Sequence, residues 1–72
     1  MEGKYYRHFK GNYYRLLHFA YDCETEERMV VYQAMYGEGK IWIRPEKNFF
    51  EEIESGEKRF TEVSLEEVNN GL

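Results

Sequence analysis

Apolar positions concentrate in residues 28–45, RMVVYQAMYGEGKIWIRP, as two extended runs either side of a Gly-Glu-Gly-Lys turn. Successive side chains flip across a pleated strand, so Val30, Tyr32, Ala34 and Tyr36 share one face and Met29, Val31, Gln33 and Met35 the other. Both faces are largely apolar, which predicts a central strand that is covered on both sides or bends through a small barrel. Gly37 and Gly39 supply the positive-φ positions of a tight loop, and Ile41, Trp42 and Ile43 resume the β-branched and aromatic pattern. The stretch therefore reads as a hairpin. Pro45 has no N–H for the ladder, so it ends the second strand and holds Arg44 extended at that end.

Upstream, residues 5–9 read as a short strand with Tyr5, Arg7 and Phe9 on one side and Tyr6 and His8 on the other. Lys10, Gly11 and Asn12 form a turn, because Gly and Asn tolerate the left-handed conformation. Residues 13–21 follow as a long strand, placing Tyr13, Arg15, Leu17, Phe19 and Tyr21 opposite Tyr14, Leu16, His18 and Ala20. Leu16, Leu17 and Ala20 also fit a helical stripe, but the aromatic enrichment and flanking turns favour a strand. A turn centred near residue 11 sets His8 opposite Tyr14 and leaves His18 beyond the end of the first strand. Asp22 to Glu27 is an acidic exposed loop.

Downstream of Pro45 the period changes. Phe49, Phe50 and Ile53 recur at helical spacing, predicting one or two turns of helix near residues 46–54, with Phe49 and Ile53 plugging the sheet. Ser55 and Gly56 break it. Residues 57–63 read as a last edge strand with Phe60 inward and charges that discourage edge pairing. Ser64 and Glu67 have the form of a capping box ahead of Val68, and residues 69–72 read as a fraying end. The pattern is mainly β: residues 1–72 make one small domain, a strongly bent antiparallel sheet closing as an SH3-like barrel. A flatter sheet covered by the helical segment is the alternative.

Composition sharpens this picture. A 72-residue chain buries roughly 60 to 65% of its unfolded surface, a thin margin for stability. Seven Tyr, five Phe and one Trp substitute for a deep aliphatic core, since each ring buries on the order of 150 to 250 Å². The single cysteine, Cys23, cannot form an internal disulfide and lies among carboxylates, so a reducing cytoplasm is expected and an activated thiolate is not. No leader-like segment opens the chain and no apolar run approaches a bilayer span, so no membrane association is expected. The net charge is −4, distributed unevenly. Residues 1–21 carry Lys4, Arg7, Lys10 and Arg15 against Glu2, or +3, whereas residues 46–72 carry eight Glu against Lys47, Lys58 and Arg59, or −5. That balance argues against a dedicated duplex-DNA binder, whose affinity depends on neutralising phosphates.

The segments Tyr6-Arg7-His8-Phe9-Lys10-Gly11, Tyr13-Tyr14, Val30-Val31-Tyr32-Gln33-Ala34-Met35-Tyr36-Gly37 and Trp42-Ile43-Arg44-Pro45 with Phe49 resemble the bacterial family called domain of unknown function 1653. The resemblance runs from about Lys4 to Phe60, with the segments in the family's order and spacing. It implies a small SH3-type barrel in a bacterial cytoplasmic protein, usually a stand-alone short chain, and implies no activity.

The residues carry no nucleophile elbow, phosphate loop or zinc spacing, so neither a catalytic residue nor a metal or other cofactor is expected. The favoured expectation is a non-enzymatic binding module. Tyr6, His8, Tyr14, Tyr32, Trp42 and Arg44 combine ring faces with a fixed cation, a set suited to a peptide, a protein or a small anionic ligand. The plainer reading has the rings filling the core and Arg44 paired with Glu46 or another Glu. A second expectation is single-stranded nucleic acid tracked by Arg7, Lys10 and Arg15, which the acidic second half opposes. A third is a structural or assembly role through a tyrosine-rich interface; the expected state of the chain is a monomer or weak homodimer.

Overall fold

The computed structural model describes residues 2–72. It contains five strands, β1 (Tyr5–His8), β2 (Tyr13–Tyr21), β3 (Arg28–Ala34), β4 (Ile41–Pro45) and β5 (Phe60–Val63), and two helices, α1 (Glu46–Phe49) and α2 (Leu65–Gly71). All five strands join one antiparallel sheet in the order β4-β3-β2-β1-β5. Four strands meander, and β5 returns to pair with β1. The central hairpin forms as its sequence predicts, with Gly37 at φ 58° and Gly39 at φ 69°. Strand β3 nevertheless stops at Ala34, two residues short of Tyr36, and residues 35–40 form the loop.

Two details of register differ from the sequence expectation. Tyr6 lies opposite Tyr14 and Arg7 opposite Tyr13, so His8 faces the turn residue Asn12, whose carbonyl accepts from His8 N–H at 2.8 Å. The turn is centred one residue earlier than expected. In β2 the pairing shifts between Leu16 and His18, a bulge that inserts Leu17 and reverses the faces beyond it. Phe19 thereby joins Tyr14 and Leu16 against the core, while His18 turns outward to the Glu2 carboxylate at 3.4 Å.

The core collects on the concave face, from Tyr6, Leu16, Val30, Tyr32, Phe49 and Phe60. Phe49 and Phe60 stack at 4.0 Å between ring centroids, and Tyr6 and Tyr32 meet Phe49 edge-on at 5.2 and 5.3 Å. The helical plug is shorter than expected, and Phe50 takes the part expected of Ile53. Adjacent residues on a helix point about 100° apart, so Phe49 and Phe50 reach the core together only because the helix ends at Phe50, with φ −96° and ψ 4°. Ile53 instead anchors the following turn, donating its N–H to Glu57 at 2.8 Å.

The hydrogen-bonded sheet is open, with β4 and β5 as its two ends. Those ends approach through side chains, the Arg44 guanidinium lying 5.6 Å over the Phe60 ring. Helix α2 is longer than the single turn its capping box predicts. Ser64 Oγ accepts from Glu67 N at 3.0 Å, Val68 is buried, and the helix reaches Gly71, where a Cβ would lie 2.6 Å from the Tyr13 ring. Among the described residues no helix is long and apolar enough to cross a membrane.

Candidate ligand-binding cleft

Tyr14 on β2, Tyr32 on β3, Trp42 and Arg44 on β4, and Tyr36 on the hairpin loop line a cleft of about 220 Å³. The strand register makes it: Tyr14 lies opposite Ala34, Tyr32 opposite Trp42, and Val30 opposite Arg44, and directly opposed residues project from the same face. A second cleft, about 270 Å³, continues past Trp42 and Tyr36 along Ala34, Gly37, Glu38 and Lys40. Trp42 is 47% exposed and Tyr36 45%, so both rings stand open between the clefts. Tyr14 and Tyr36 share a hydrogen bond of 2.8 Å between their hydroxyls. Burial, followed by that bond, pushes the Tyr14 phenol far above its ordinary range, so it stays protonated.

Arg44 is held by neutral acceptors. Its Nε donates to Tyr32 Oη at 3.2 Å and its Nη1 to Asn48 Oδ1. Asn48 Nδ2 in turn donates to Glu51 Oε1 at 2.8 Å, and the same oxygen accepts from Arg59 Nη2 at 2.7 Å. The one carboxylate in this series of hydrogen bonds is thus taken by Arg59. Glu46, the partner considered for Arg44 from sequence, pairs with Arg28 at 3.6 Å instead. Among the described residues Arg44 makes no ion pair, so its charge is oriented but not neutralised.

His8 sits behind the cleft, edge-on to Phe60 at 4.9 Å and to Tyr14 at 6.4 Å. Its Nδ1 accepts from Lys10 N at 3.2 Å, which requires an unprotonated Nδ1. Burial first, then the positive charges of Arg44, Lys10 and Arg59, hold its pKa below the ordinary histidine value. His8 is neutral at pH 7 and adds a ring without a second cation.

Four of the six residues singled out from sequence, Tyr14, Tyr32, Trp42 and Arg44, therefore converge, and His8 backs them. Tyr6 does not: it is 4% exposed and packs on Phe49 and Phe50 away from the lining. Sequence reasoning omitted Tyr36 and Asn48. Alternation had placed Tyr36 on the face of Tyr32, whereas Asn48 has no signal beyond standing four residues after Arg44. Arg7 and Arg15 project from the convex face, since they alternate with Tyr6, Tyr14 and Leu16. Arg7 pairs with Glu67 at 3.0 Å, Arg15 lies 5.8 Å over the Tyr5 ring, and Lys10 lies 5.9 Å over Phe9 on the β1–β2 turn.

A wider depression bounded by Glu51, Glu52, Ile53, Glu54, Ser55 and Arg59 contains no ring and offers no stacking surface. Among the described residues no three His, Cys, Asp or Glu side chains gather as metal ligands, and Cys23 is exposed and unpaired.

A family model described as "Protein of unknown function (DUF1653)" matches residues 4–62. The chain belongs to this family. The match spans β1 to β4, α1 and most of β5, and so includes every residue that lines the cleft. Neither the comparison with curated proteins nor that with solved structures returns a match.

Proposed function

We propose that this DUF1653 protein is a non-enzymatic binding module on a strongly bent, SH3-like sheet, and that its cleft takes a short peptide or protein segment presenting a carboxylate beside a planar group. The observation that carries the reading is Arg44, fixed by Tyr32 and Asn48 at the wall of an aromatic cleft without a carboxylate of its own. A guanidinium positioned in advance loses little freedom when it meets an anion. At about 220 Å³ the cleft is smaller than the roughly 300 to 1,000 Å³ of drug-sized sites, and suits one side chain or terminus rather than a whole cofactor. The neighbouring cleft across Trp42 and Tyr36 gives the rest of an extended segment a path. The meander with β5 returning onto β1 supports the SH3-like plan.

Trp42 is the sole tryptophan, so its emission reports on the cleft directly. Short peptides ending in an aromatic residue are titrated with a free and with an amidated C-terminus. The free acid shifts Trp42 emission saturably, amidation weakens binding about tenfold, and Arg44→Gln does the same, in line with the loss of one charge-assisted contact. Equal affinity for acid and amide, or an unchanged affinity in Arg44→Gln, contradicts the reading.

A further inference from the structure

The two ends of the sheet are protected unequally. On β5, Thr61 and Glu62 are exposed, and Glu62 meets Lys4 at 3.3 Å, the kind of charged edge that resists pairing. On β4, Ile41 is 60% exposed, Trp42 47% and Ile43 61%, three uncharged residues in a row. The backbone on that side is also unpartnered. Ala34 N donates to Lys40 O at 2.9 Å, and bonded pairs alternate along an antiparallel ladder, so Trp42 and Arg44 bond inward to β3. Ile41 and Ile43 turn their N–H and C=O groups to the free edge. Pro45, which has no N–H, falls on the same outward phase and leaves no donor stranded there.

We propose that β4 is the interface at which two copies of this chain pair, antiparallel and two-fold symmetric, with Ile43 on the axis. Directly opposed residues must share a face, so the axis passes through a residue position. With the axis at Trp42, Lys40 of each copy faces Arg44 of the other, and like charges directly opposite are destabilising. With the axis at Ile43, Arg44 of one copy comes beside Trp42 of the other, a cation against a ring. Ile41 N–H then donates to Pro45 O of the second copy, and the two Ile43 residues exchange both of their bonds. On the convex face the register builds one β-branched row, Val31 and Ile43 of one copy followed by Ile43 and Val31 of the other. The charge pattern selects a second copy over an unrelated strand, because each cation and ring of β4 finds its complement in β4 itself. This pairing needs no ligand in the cleft, and it brings the two clefts side by side across the axis.

The test is sedimentation equilibrium of the full chain over a wide concentration range, with Ile43→Lys as the variant. Ile43 is largely exposed, so that variant keeps the wild-type amide spectrum outside β4. The wild type moves from the mass of one chain to that of two as concentration rises, and Ile43→Lys raises the dissociation constant about tenfold or more by setting two ammonium groups face to face. Register is read by mild oxidation in a Cys23→Ser background, where Ile43→Cys cross-links with itself and Trp42→Cys does not. A single-chain mass at every concentration overturns the proposal, as does a dimer unaffected by Ile43→Lys. Cross-linking through Trp42→Cys in place of Ile43→Cys overturns the register.

Discussion

At the scale of single residues, the chemistry of the concave face rests on groups kept in one protonation state. His8 is the clearest. Its folded pKa lies below the unfolded value, so between the two the unfolded chain binds more protons and stability rises with pH. The contribution of neutral His8 is complete above the unfolded pKa of about 6.5 and is lost as pH falls through that value toward the folded one. Denaturant unfolding followed from pH 7.5 down to 5 shows stability declining with acid, and His8→Gln, which cannot titrate, flattens that slope. An unchanged slope in the variant shows that another group is responsible. Gly71 has a steric role of a different kind. A methyl group there meets the Tyr13 ring at 2.6 Å, so Gly71→Ala displaces Tyr13 from Glu67 Oε2, its hydrogen-bond partner at 3.2 Å. The expected cost is about 1 to 3 kcal/mol, typical of overpacking, read as a lower denaturation midpoint, whereas a gain in stability would mean that the end of α2 moves away freely.

Among the elements, helix α1 is the most exposed to mutation. Helix α1 is a single turn that contributes Phe49 to a core otherwise built by strands, and Phe49 is fully buried between Tyr6, Tyr32 and Phe60. Phe49→Ala costs about 3 to 5 kcal/mol, a large part of the stability of a domain this small, and leaves the variant substantially unfolded by circular dichroism at room temperature. Retention of a native-like thermal transition would show that the core closes without the plug. The cap of α2 is worth less. Ser64→Ala removes the acceptor of the Glu67 N–H and lowers stability by about 1 kcal/mol, a shift of several degrees in Tm. Only half of the capping box forms, because the Glu67 carboxylate turns to Arg7 and Tyr13.

Much of this organisation is legible in the sequence, for reasons that differ by element. Val30, Tyr32 and Ala34 declare a strand with one buried face because alternation is a direct consequence of the pleat, and Gly37 and Gly39 declare their turn because few other residues accept positive φ. The bulge at Leu17 leaves no trace, since Leu16 and Leu17 are equally apolar and only pairing with β3 decides which of them turns inward. The same slip hid the placement of Phe19 and His18. Within the cleft, the aromatic and Arg set could be read from β-strand faces, but Asn48 could not. Its contact with Arg44 depends on the chain turning at Pro45 from strand into helix, which folds residue 48 back under the end of β4.

For the whole molecule, the uneven charge of the sequence becomes a set of contacts. Lys4 pairs with Glu62 and Arg7 with Glu67, so part of the basic first segment lies against the acidic last one and little of it remains as an open track. These pairs are exposed, and such pairs contribute only about 0 to 1 kcal/mol each. Raising salt therefore changes the unfolding midpoint little, and a strong salt dependence would show that the pairs matter more than their exposure implies. Arg44 stands apart from this pairing, and the account of the molecule as a binding module turns on it. The most direct test is a set of amide and indole NMR spectra of the labelled protein recorded while the free-acid and amidated peptides are added. If the molecule is a binding module, the free acid moves the Trp42 indole together with the amides of Tyr32, Tyr36 and Arg44, and Arg44→Gln needs about tenfold more peptide to reach the same shifts while the rest of the spectrum stays in place. Shifts centred on Arg7 and Arg15, or none at saturating peptide, would contradict that reading.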